Sequence, residues 1–312
     1  MKNYITIDGG TTNTRVSLVV DGIVIDTIKI NIGAQKSIDG GEALRKGIKD
    51  AIVQLLHSAG LTESNIEKIL ASGMITSEFG LCKVDHIETP AGIDELAATM
   101  YETHFEDISS LPFAFVRGVK SVCHDLAYTD MMRGEETELM GIMNSSYGEC
   151  VYVLPGSHSK IIRCDKEGRI AEFSTLLTGE MAASISQNTI LRDAVDLSVE
   201  CTDKEYLVMG YSYATKHGIN NALFKVRVLK NLFGASKEQV YSFYVGVILQ
   251  GEIEQIVSYN APTVVIGGKK QLKEAMAHIL ETVTDYNVIV IDDNLVNDSV
   301  SRGIIRIYEH LK

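Results

Sequence analysis

The segment Asp8–Asn13, with the sequence DGGTTN, combines one carboxylate, two glycines and three small polar residues. Runs of strand-forming residues flank it, Tyr4 to Ile7 and Val16 to Val20, so the segment is predicted to connect two strands. Its glycines let the backbone N–H groups point inward and its threonine hydroxyls add donors, which together suit phosphate oxygens. We therefore predict that four residues bind the phosphates of a nucleotide: Gly10, Thr11, Thr12 and Asn13.

Asp8 lies at the predicted end of the first strand. A carboxylate at this position suits Mg²⁺, which keeps most of its waters and needs few protein ligands. We predict that Asp8 contacts Mg²⁺ through water and takes part in catalysis. A purely structural turn remains the alternative, because the segment matches neither G-x-G-x-x-G nor G-x-x-x-x-G-K-[ST].

The second half of the chain begins with a similar pattern. Strand-forming Val151 to Leu154 precedes the small-residue loop 155–160, and a second strand, a turn and a third strand follow. An offset of 147 residues places Gly156 on Gly9, Ser159 on Thr12 and Lys160 on Asn13. The pattern indicates an internal duplication, although two hairpins that are alike by chance remain the alternative.

A duplication would build two α/β domains that face a central cleft, and a cleft between domains is a favoured ligand site. We predict domains at 1–147 and 148–312, with the last helix packing back toward the first domain. In the second half, Gly267 and Gly268 follow a buried-type strand and precede a predicted helix. They would let a nucleotide approach the backbone at the helix start, with an ordinary tight turn as the alternative.

Composition limits the class of protein. The chain has 312 residues and a formal net charge of −12, without a basic stripe that would bind nucleic acid. No apolar run reaches the roughly 20 residues that a membrane span needs, so we expect a cytoplasmic protein without a membrane partner. Its five cysteines and eight histidines lack the spacings of a disulfide framework or a zinc site.

Six segments of the chain together resemble a known family: Asp8–Asn13, Ala71–Ser77, Pro90–Gly92, Met132–Thr137, Leu154–Lys160 and Thr178–Glu180. In this order they are similar to the motifs of 2-dehydro-3-deoxygalactonokinases. The resemblance implies two ribonuclease-H-like domains of the actin-like ATPase class. It also implies transfer of the ATP γ-phosphoryl group to the terminal hydroxyl of 2-dehydro-3-deoxy-D-galactonate. This chain departs from the family with Gly9 in place of the common Trp, and with Ser157 in place of the usual Thr.

The resemblance also assigns roles to residues. Both loops are expected to hold the ATP phosphates, the second through Gly156, Ser157, Ser159 and Lys160. Gly267 and Gly268 are expected to hold the adenosine, and Ser72, Gly73 and Met74 to line the sugar side. In phosphoryl transfer, positioning and neutralisation of charge dominate.

The base that accepts the sugar hydroxyl proton has two candidates, His158 and Asp8. An imidazole accepts protons near neutral pH, and His158 lies close to where related sugar kinases carry a catalytic Asp. A structural histidine is the alternative.

Arg133, Glu135, Glu136 and Glu180 complete the predicted sugar side. A cation next to two carboxylates offers one partner for the substrate carboxylate and acceptors for the sugar hydroxyls. Each glutamate also lies at a predicted helix start, where the helix dipole favours a carboxylate without any function. This alternative stays open for all three.

Two other functions remain open from the sequence. One is a kinase of the same superfamily that acts on another sugar or sugar acid. The other is a non-catalytic ATP- or sugar-binding regulator, which would bind its ligands without forming ADP. Formation of a homodimer is also left open.

Overall fold

The computed structural model describes residues 2–34, 41–268 and 270–311. These residues form two compact units. Unit 1 contains residues 1–145, 168–171 and 294–312, and unit 2 contains residues 146–167 and 172–293. The predicted boundary after residue 147 lies close to the division at 145. The segment 168–171 and the last helix belong to unit 1.

The strands are, in chain order, β1 Asn3–Gly9, β2 Thr14–Val20, β3 Ile23–Ile30, β4 Lys68–Gly73, β5 Ile87–Glu88, β6 Tyr101–Thr103, β7 Phe113–Phe115, β8 Val119–Ser121, β9 Asp130–Met132, β10 Cys150–Leu154, β11 Ser159–Cys164, β12 Ile170–Leu176, β13 Thr263–Ile266 and β14 Asn287–Val290. The helices are α1 Glu42–Ala59, α2 Ile93–Ala98, α3 Glu135–Ile142, α4 Thr178–Asn188, α5 Lys204–His217, α6 Ile219–Phe233, α7 Lys237–Ser258, α8 Lys270–Val283, α9 Asp293–Asn297 and α10 Ser299–Glu309.

The main sheets of the two units share one strand order. The unit 1 sheet runs β3-β2-β1-β4-β7-β6, and the sheet of the second half runs β12-β11-β10-β13-β14. In both, the first strand pairs antiparallel with the second, β1 with β2 and β10 with β11. It pairs parallel with a later strand on its other side, β4 or β13. The loops 10–13 and 155–158 therefore leave equivalent edges of their sheets.

Side chains of β1 alternate between the two faces of the sheet, as the period of a strand requires. Ile5 and Ile7 are fully buried in the cluster that includes α1. On the other face, Tyr4 donates to the Glu309 carboxylate at 2.8 Å, and the Thr6 hydroxyl lies 2.7 Å from that of Ser301. Helix α10 thus covers the face of the sheet to which Asp8 also belongs.

Helix α10 packs very closely against α3. A Cβ built on Gly141 would lie 1.8 Å from the Ser299 carbonyl oxygen, and one built on Gly303 would lie 1.9 Å from that of Thr137. Only glycine fits at such contacts, so these two residues set the distance between the helices. Helix α3 begins at Glu135 and is held in place by this packing.

The core of unit 2 surrounds helix α7. The S-x-x-Q pattern of Ser236 and Gln239 predicts a capping box. The structure contains it, since the Ser236 hydroxyl accepts from the Gln239 N–H at 3.2 Å and the Gln239 side chain accepts from the Ser236 N–H. Every residue from Val240 to Leu249 is buried, which is the pattern of a helix enclosed on all sides. No helix among the described ranges is long and apolar enough to cross a membrane.

Candidate functional site

The first loop is a closed turn between β1 and β2. The Gly10 N–H donates to the Asn13 carbonyl at 2.8 Å, and the Gly10 carbonyl accepts from the Ala34 N–H at 3.1 Å. Thr11 and Thr12 are exposed, and the Thr12 hydroxyl accepts from the Asn13 amide at 2.9 Å. Both threonines are therefore open to solvent, and their contact with phosphate stays a prediction.

Three glycines bring the neighbouring segments of unit 1 together. A Cβ on Gly9 would lie 2.6 Å from the Ile75 Cβ, and one on Gly73 would lie 2.4 Å from the Gly9 carbonyl oxygen. One on Gly134 would lie 3.2 Å from the Gly73 Cα. Only backbone atoms therefore fit where the end of β1, the end of β4 and the start of α3 meet. Position 9 of this chain has no space for the Trp that is common in the family.

This convergence places a group of charges around Asp8. In the pairing of β1 with β4, Asp8 lies opposite Ser72, and Asp8 Oδ2 accepts from Arg15 Nη1 at 3.2 Å. Burial raises the pKa of Asp8, Arg15 lowers it, and Glu135 raises it further. Burial also raises the pKa of Glu138 to about 7, and Glu135 and Asp8 add to this rise. Because these carboxyls repel one another, a cation bound at this edge would be stabilised.

Ser72 belongs to the same edge. Its side chain is fully buried, and its hydroxyl has no hydrogen-bond partner within the described residues. Met74 follows in the short 3₁₀ turn Met74–Thr76 and is half-buried. The structure thus brings Asp8, Ser72, Gly73 and the start of α3 together, whereas their contacts with a sugar stay a prediction.

Glu136 corrects the predicted set. It is fully buried, and both of its carboxylate oxygens accept from the Gly134 N–H, at 2.9 and 2.8 Å. Burial raises its pKa to about 8, and the charge of Glu135 contributes. Glu136 therefore binds the start of its own helix, and its oxygens are not available to sugar hydroxyls. Its contacts thus favour the alternative of a structural group at the helix start.

Arg133 also differs from its predicted role. Its guanidinium donates to the Thr76 carbonyl at 2.8 Å, to the Thr76 hydroxyl and to the Val84 carbonyl at 3.1 Å, and Nη2 lies 3.1 Å from His86 Nδ1. Both Nη atoms are thus occupied inside unit 1. The side chain holds the segment 76–86 in place, so we assign Arg133 to positioning instead of contact with the substrate carboxylate.

The second loop lies between β10 and β11. The Gly156 N–H donates to the Ser159 hydroxyl at 3.2 Å, which matches the bond between Gly10 and Asn13. The two closing bonds are 146 residues apart, close to the predicted offset of 147. Ser159 is fully buried and Lys160 is 4% exposed. The Lys160 ammonium lies 3.5 Å from the His158 carbonyl.

The start of α4 is packed onto this second loop. A Cβ on Gly179 would lie 2.4 Å from the Gly156 carbonyl oxygen and 2.8 Å from the Ser157 Cα. The Glu180 N–H donates to the Ser157 carbonyl at 3.3 Å, and the half-exposed His158 ring lies 3.0 Å from the Glu180 carboxylate. A carboxylate in this position orients the imidazole. Glu180 thus contacts the second loop of its own unit, and its contact with a sugar stays a prediction.

Gly267 and Gly268 are also next to the second loop. The Gly267 N–H donates to the Val153 carbonyl at 2.9 Å. Gly268 has a φ of +76°, and a Cβ there would lie 2.8 Å from the Pro155 carbonyl oxygen. Glycine is therefore needed at position 268 on both grounds. Unit 2 brings together its second loop, the start of α4 and the Gly267–Gly268 turn.

The donor set fits Mg²⁺ that is held chiefly by phosphate and water. Among the residues with described positions, no three His, Cys, Asp or Glu side chains are grouped so as to hold a metal ion. Asp8 alone suffices for a hydrated ion that ATP brings with it. The repulsion between Asp8, Glu135 and Glu138 favours a cation at that edge.

Two carboxyls near the loops were missed by the sequence analysis, Glu138 and Glu252. Glu138 follows Glu135 by three residues, so one helix face could have indicated it. Glu252 lies inside the apolar helix α7. A carboxylate within an apolar run is a signal in itself, since acidic residues are rarely fully buried.

A groove of about 550 Å³ lies at the other end of α4, lined by Ser186, Gln187, residues 192–197, Lys230, Ala235, Lys237 and Val240. None of the predicted site residues lines this groove. We therefore assign it no role in the predicted site.

A family model described as 2-keto-3-deoxy-galactonokinase matches residues 8–307. The chain belongs to this family. The match begins at Asp8 and includes both loops, so the family resemblance of the sequence is confirmed.

Relatives of the 2-keto-3-deoxy-galactonokinase family agree with the match. An assigned 2-dehydro-3-deoxygalactonokinase of Rhizobium meliloti is 32% identical over 196 residues, which are 62% of this chain and 59% of that relative. The chain thus matches less than two thirds of that relative's length. The 2-dehydro-3-deoxygalactonokinase of Escherichia coli is 24% identical over 83% of this chain and 82% of its own length.

A solved structure shares the fold. The crystal structure of a proposed 2-dehydro-3-deoxygalactonokinase from Sinorhizobium meliloti has a TM-score of 0.79 at 23% identity and covers 99% of both chains. The structure of a proposed N-acetylmannosamine kinase from Listeria monocytogenes shares the fold with a TM-score of 0.50 at 12% identity, over 99% of both chains. The predicted α/β fold of the actin-like ATPase class is confirmed.

Proposed function

We propose that this chain transfers the γ-phosphoryl group of ATP to the terminal hydroxyl of 2-dehydro-3-deoxy-D-galactonate, giving the 6-phosphate and ADP. The observation that carries the proposal is the family match over residues 8–307, which begins at Asp8. The exposed threonines of the first loop and the glycine-bounded second loop support ATP as the donor. Because ATP is the donor, we also propose a cytoplasmic location.

We propose that unit 2 holds the nucleotide. The second loop and the start of α4 offer N–H groups and the Lys160 ammonium to phosphate oxygens. The Gly267–Gly268 turn lies next to this loop and would adjoin the adenosine. Mg²⁺, when bound with ATP, would neutralise charge on the phosphates. That both loops contact one triphosphate stays a prediction.

We propose that unit 1 binds the sugar acid and supplies the base. Asp8 is half-buried beside Ser72, and burial raises its pKa, which strengthens a carboxylate as a proton acceptor. The substrate hydroxyl gives its proton to Asp8 while its oxygen bonds to the γ-phosphorus, and the bond to the β-phosphate oxygen breaks. His158, with Glu180 next to it, remains the second candidate for this base.

The test is an assay of ADP formation with MgATP and a panel of acceptors. The panel contains 2-dehydro-3-deoxy-D-galactonate, its epimer at C4, aldonic acids and neutral sugars. We expect the first to have the highest kcat/KM. The panel is needed because Gly9 replaces a residue that is bulky in relatives, which can alter acceptor choice. If ADP forms only with a different acceptor, the proposed substrate is contradicted. If ADP forms with none of the acceptors, the proposed kinase activity is contradicted.

A further inference from the structure

Glu252 is a buried carboxyl that the proposed reaction does not use. It lies in α7 and is fully buried, next to the equally buried Ile253. Taking a carboxyl out of water costs several kcal/mol unless it gains hydrogen bonds or a charge partner. A helix that served packing alone would carry an apolar residue at this position.

The surroundings of Glu252 contain two hydroxyls. Neither of its carboxyl oxygens has a hydrogen bond of good geometry within the described residues. The Ser159 and Thr178 hydroxyls are nonetheless its polar neighbours, and they oppose the rise in the pKa of Glu252 that burial causes. Each of these hydroxyls carries one proton, for which a carboxyl oxygen is an acceptor.

Both hydroxyls border the second loop. The Ser159 hydroxyl accepts from the Gly156 N–H at 3.2 Å, which leaves its own proton free to be donated elsewhere. Thr178 is the first residue of α4, and the next residue, Gly179, packs on the Gly156 carbonyl. Glu252 therefore lies behind the point where the loop and the start of α4 meet.

We propose that Glu252 is a positioning residue that fixes the second loop for the phosphates of ATP, through the hydroxyls of Ser159 and Thr178. A carboxyl acceptor behind Ser159 fixes the direction of the Ser159 hydroxyl proton. The lone pairs of this hydroxyl then point toward the Gly156 N–H, which fixes the turn. The inference rests on the proposed function, because it takes this loop to be the phosphate-binding loop.

Stability alone does not account for Glu252. Replacing a buried charged or polar group by an apolar residue of similar size is often neutral or stabilising. A leucine at this position should therefore fold at least as well. The two roles thus predict different results for one substitution.

The test measures equilibrium binding of MgATP by calorimetry, without any sugar acid, together with thermal unfolding. For Glu252→Leu we expect a Kd for MgATP raised about tenfold, a loss of about 1.4 kcal/mol, with an unchanged or higher unfolding midpoint. Glu252→Gln keeps an acceptor oxygen and should retain binding within about threefold of the wild type. Glu254→Gln makes the same chemical change at an exposed position of α7 and is the matched control.

Wild-type affinity in Glu252→Leu would overturn the inference, and so would equal losses in Glu252→Leu and Glu252→Gln. If Glu252→Leu does not fold, Ser159→Ala and Thr178→Val decide, because they remove the hydroxyls and keep the carboxyl. Weaker MgATP binding in both supports the inference, and unchanged binding in both overturns it. If the wild type binds MgATP but phosphorylates no acceptor, the proposed function is contradicted and this binding test still applies. If the wild type does not bind MgATP, the proposed function and this inference are both contradicted.

Discussion

The two loops follow the same strand of equivalent sheets, yet their surroundings differ. The loop 10–13 adjoins a group of carboxyls, in which Glu135 raises the pKa of Asp8, and Glu135 and Asp8 raise the pKa of Glu138. The loop 155–158 adjoins hydroxyls, the Lys160 side chain and the start of a helix. Carboxyls suit the handling of protons and cations, whereas N–H groups and a cation suit phosphates.

The two units thus share a frame and differ in the side chains that surround it. Both turns are closed by a bond from a glycine N–H, to the Asn13 carbonyl in one unit and to the Ser159 hydroxyl in the other. At the end of the preceding strand, unit 1 has Asp8 and unit 2 has the apolar Leu154. We expect the acid–base chemistry to depend on unit 1 alone.

The largest effect should follow from Asp8→Asn. Loss of a general base typically lowers the rate by about 10²–10⁴-fold, so we expect kcat to fall within this range. The unfolding midpoint should stay the same or rise, because burial already disfavours the charged form of Asp8. Steady-state kinetics and thermal unfolding measure both quantities. Asp50→Asn, at an exposed position of α1, is the control. An unchanged kcat in Asp8→Asn would contradict the assignment of the acid–base chemistry to unit 1.

Gly179→Ala should disturb the second loop specifically. The new Cβ would meet the Gly156 carbonyl at 2.4 Å, and forced overpacking typically costs about 1–3 kcal/mol. We expect a higher KM for ATP with little change in KM for the sugar acid.

Gly251→Ala offers the matched comparison, because its Cβ would meet only Leu176 at 3.7 Å. An alanine within a helix gains up to about 1 kcal/mol over glycine, so this variant should be stabilised. Equal KM values for ATP in the two variants would show that the packing of α4 does not position the loop.

Glu136 should make the stability of unit 1 depend on pH. Its pKa rises from an ordinary 4.5 to about 8 in the folded protein, so folding takes up a proton when the pH lies between 4.5 and 8. The free energy of unfolding is then highest below pH 4.5. It falls as the pH rises toward 8, by up to about 1.4 kcal/mol per pH unit. Denaturant unfolding at pH 5.5, 6.5 and 7.5 gives the free energy of unfolding at each pH. This free energy should fall less steeply with pH in Glu136→Gln than in the wild type. An identical fall in both would mean that the carboxyl is not buried as described.

The smallest effect on stability should follow from His158→Gln. The ion pair of His158 with Glu180 is largely exposed, and such pairs contribute about 0–1 kcal/mol. If Asp8 is the base, kcat should fall less than tenfold. A fall of two orders of magnitude with unchanged stability would assign the base to His158 and place the acid–base chemistry in unit 2.

Local patterns in the sequence predicted the frame well. Helical spacing and the capping box predict a helix from Ser236 to Tyr259, and α7 spans Lys237–Ser258. Strand-forming residues predict a strand from Ile66 to Ala71, and β4 lies two residues later, at Lys68–Gly73. Apolar periodicity and capping act over a few residues, so these elements are visible without tertiary contacts.

The roles of Arg133, Glu136 and Glu252 were not predictable in the same way. Arg133 binds carbonyls of residues 76 and 84, and Glu252 faces residues 159 and 178. These partners are distant along the chain and meet only after the sheets have formed. Sequence position indicated that charges were near the sites, but not which backbone or hydroxyl groups they would meet.

Helix α10 follows unit 2 in the sequence, and it covers the face of the unit 1 sheet to which Asp8 belongs. A growing polypeptide therefore releases β1 to β4 from the ribosome long before the helix that shields them exists. Unit 2, which is nearly continuous in the chain, can complete its core earlier. The half that is made first is thus the half that finishes last, and its uncovered sheet is the surface that a chaperone would meet during synthesis.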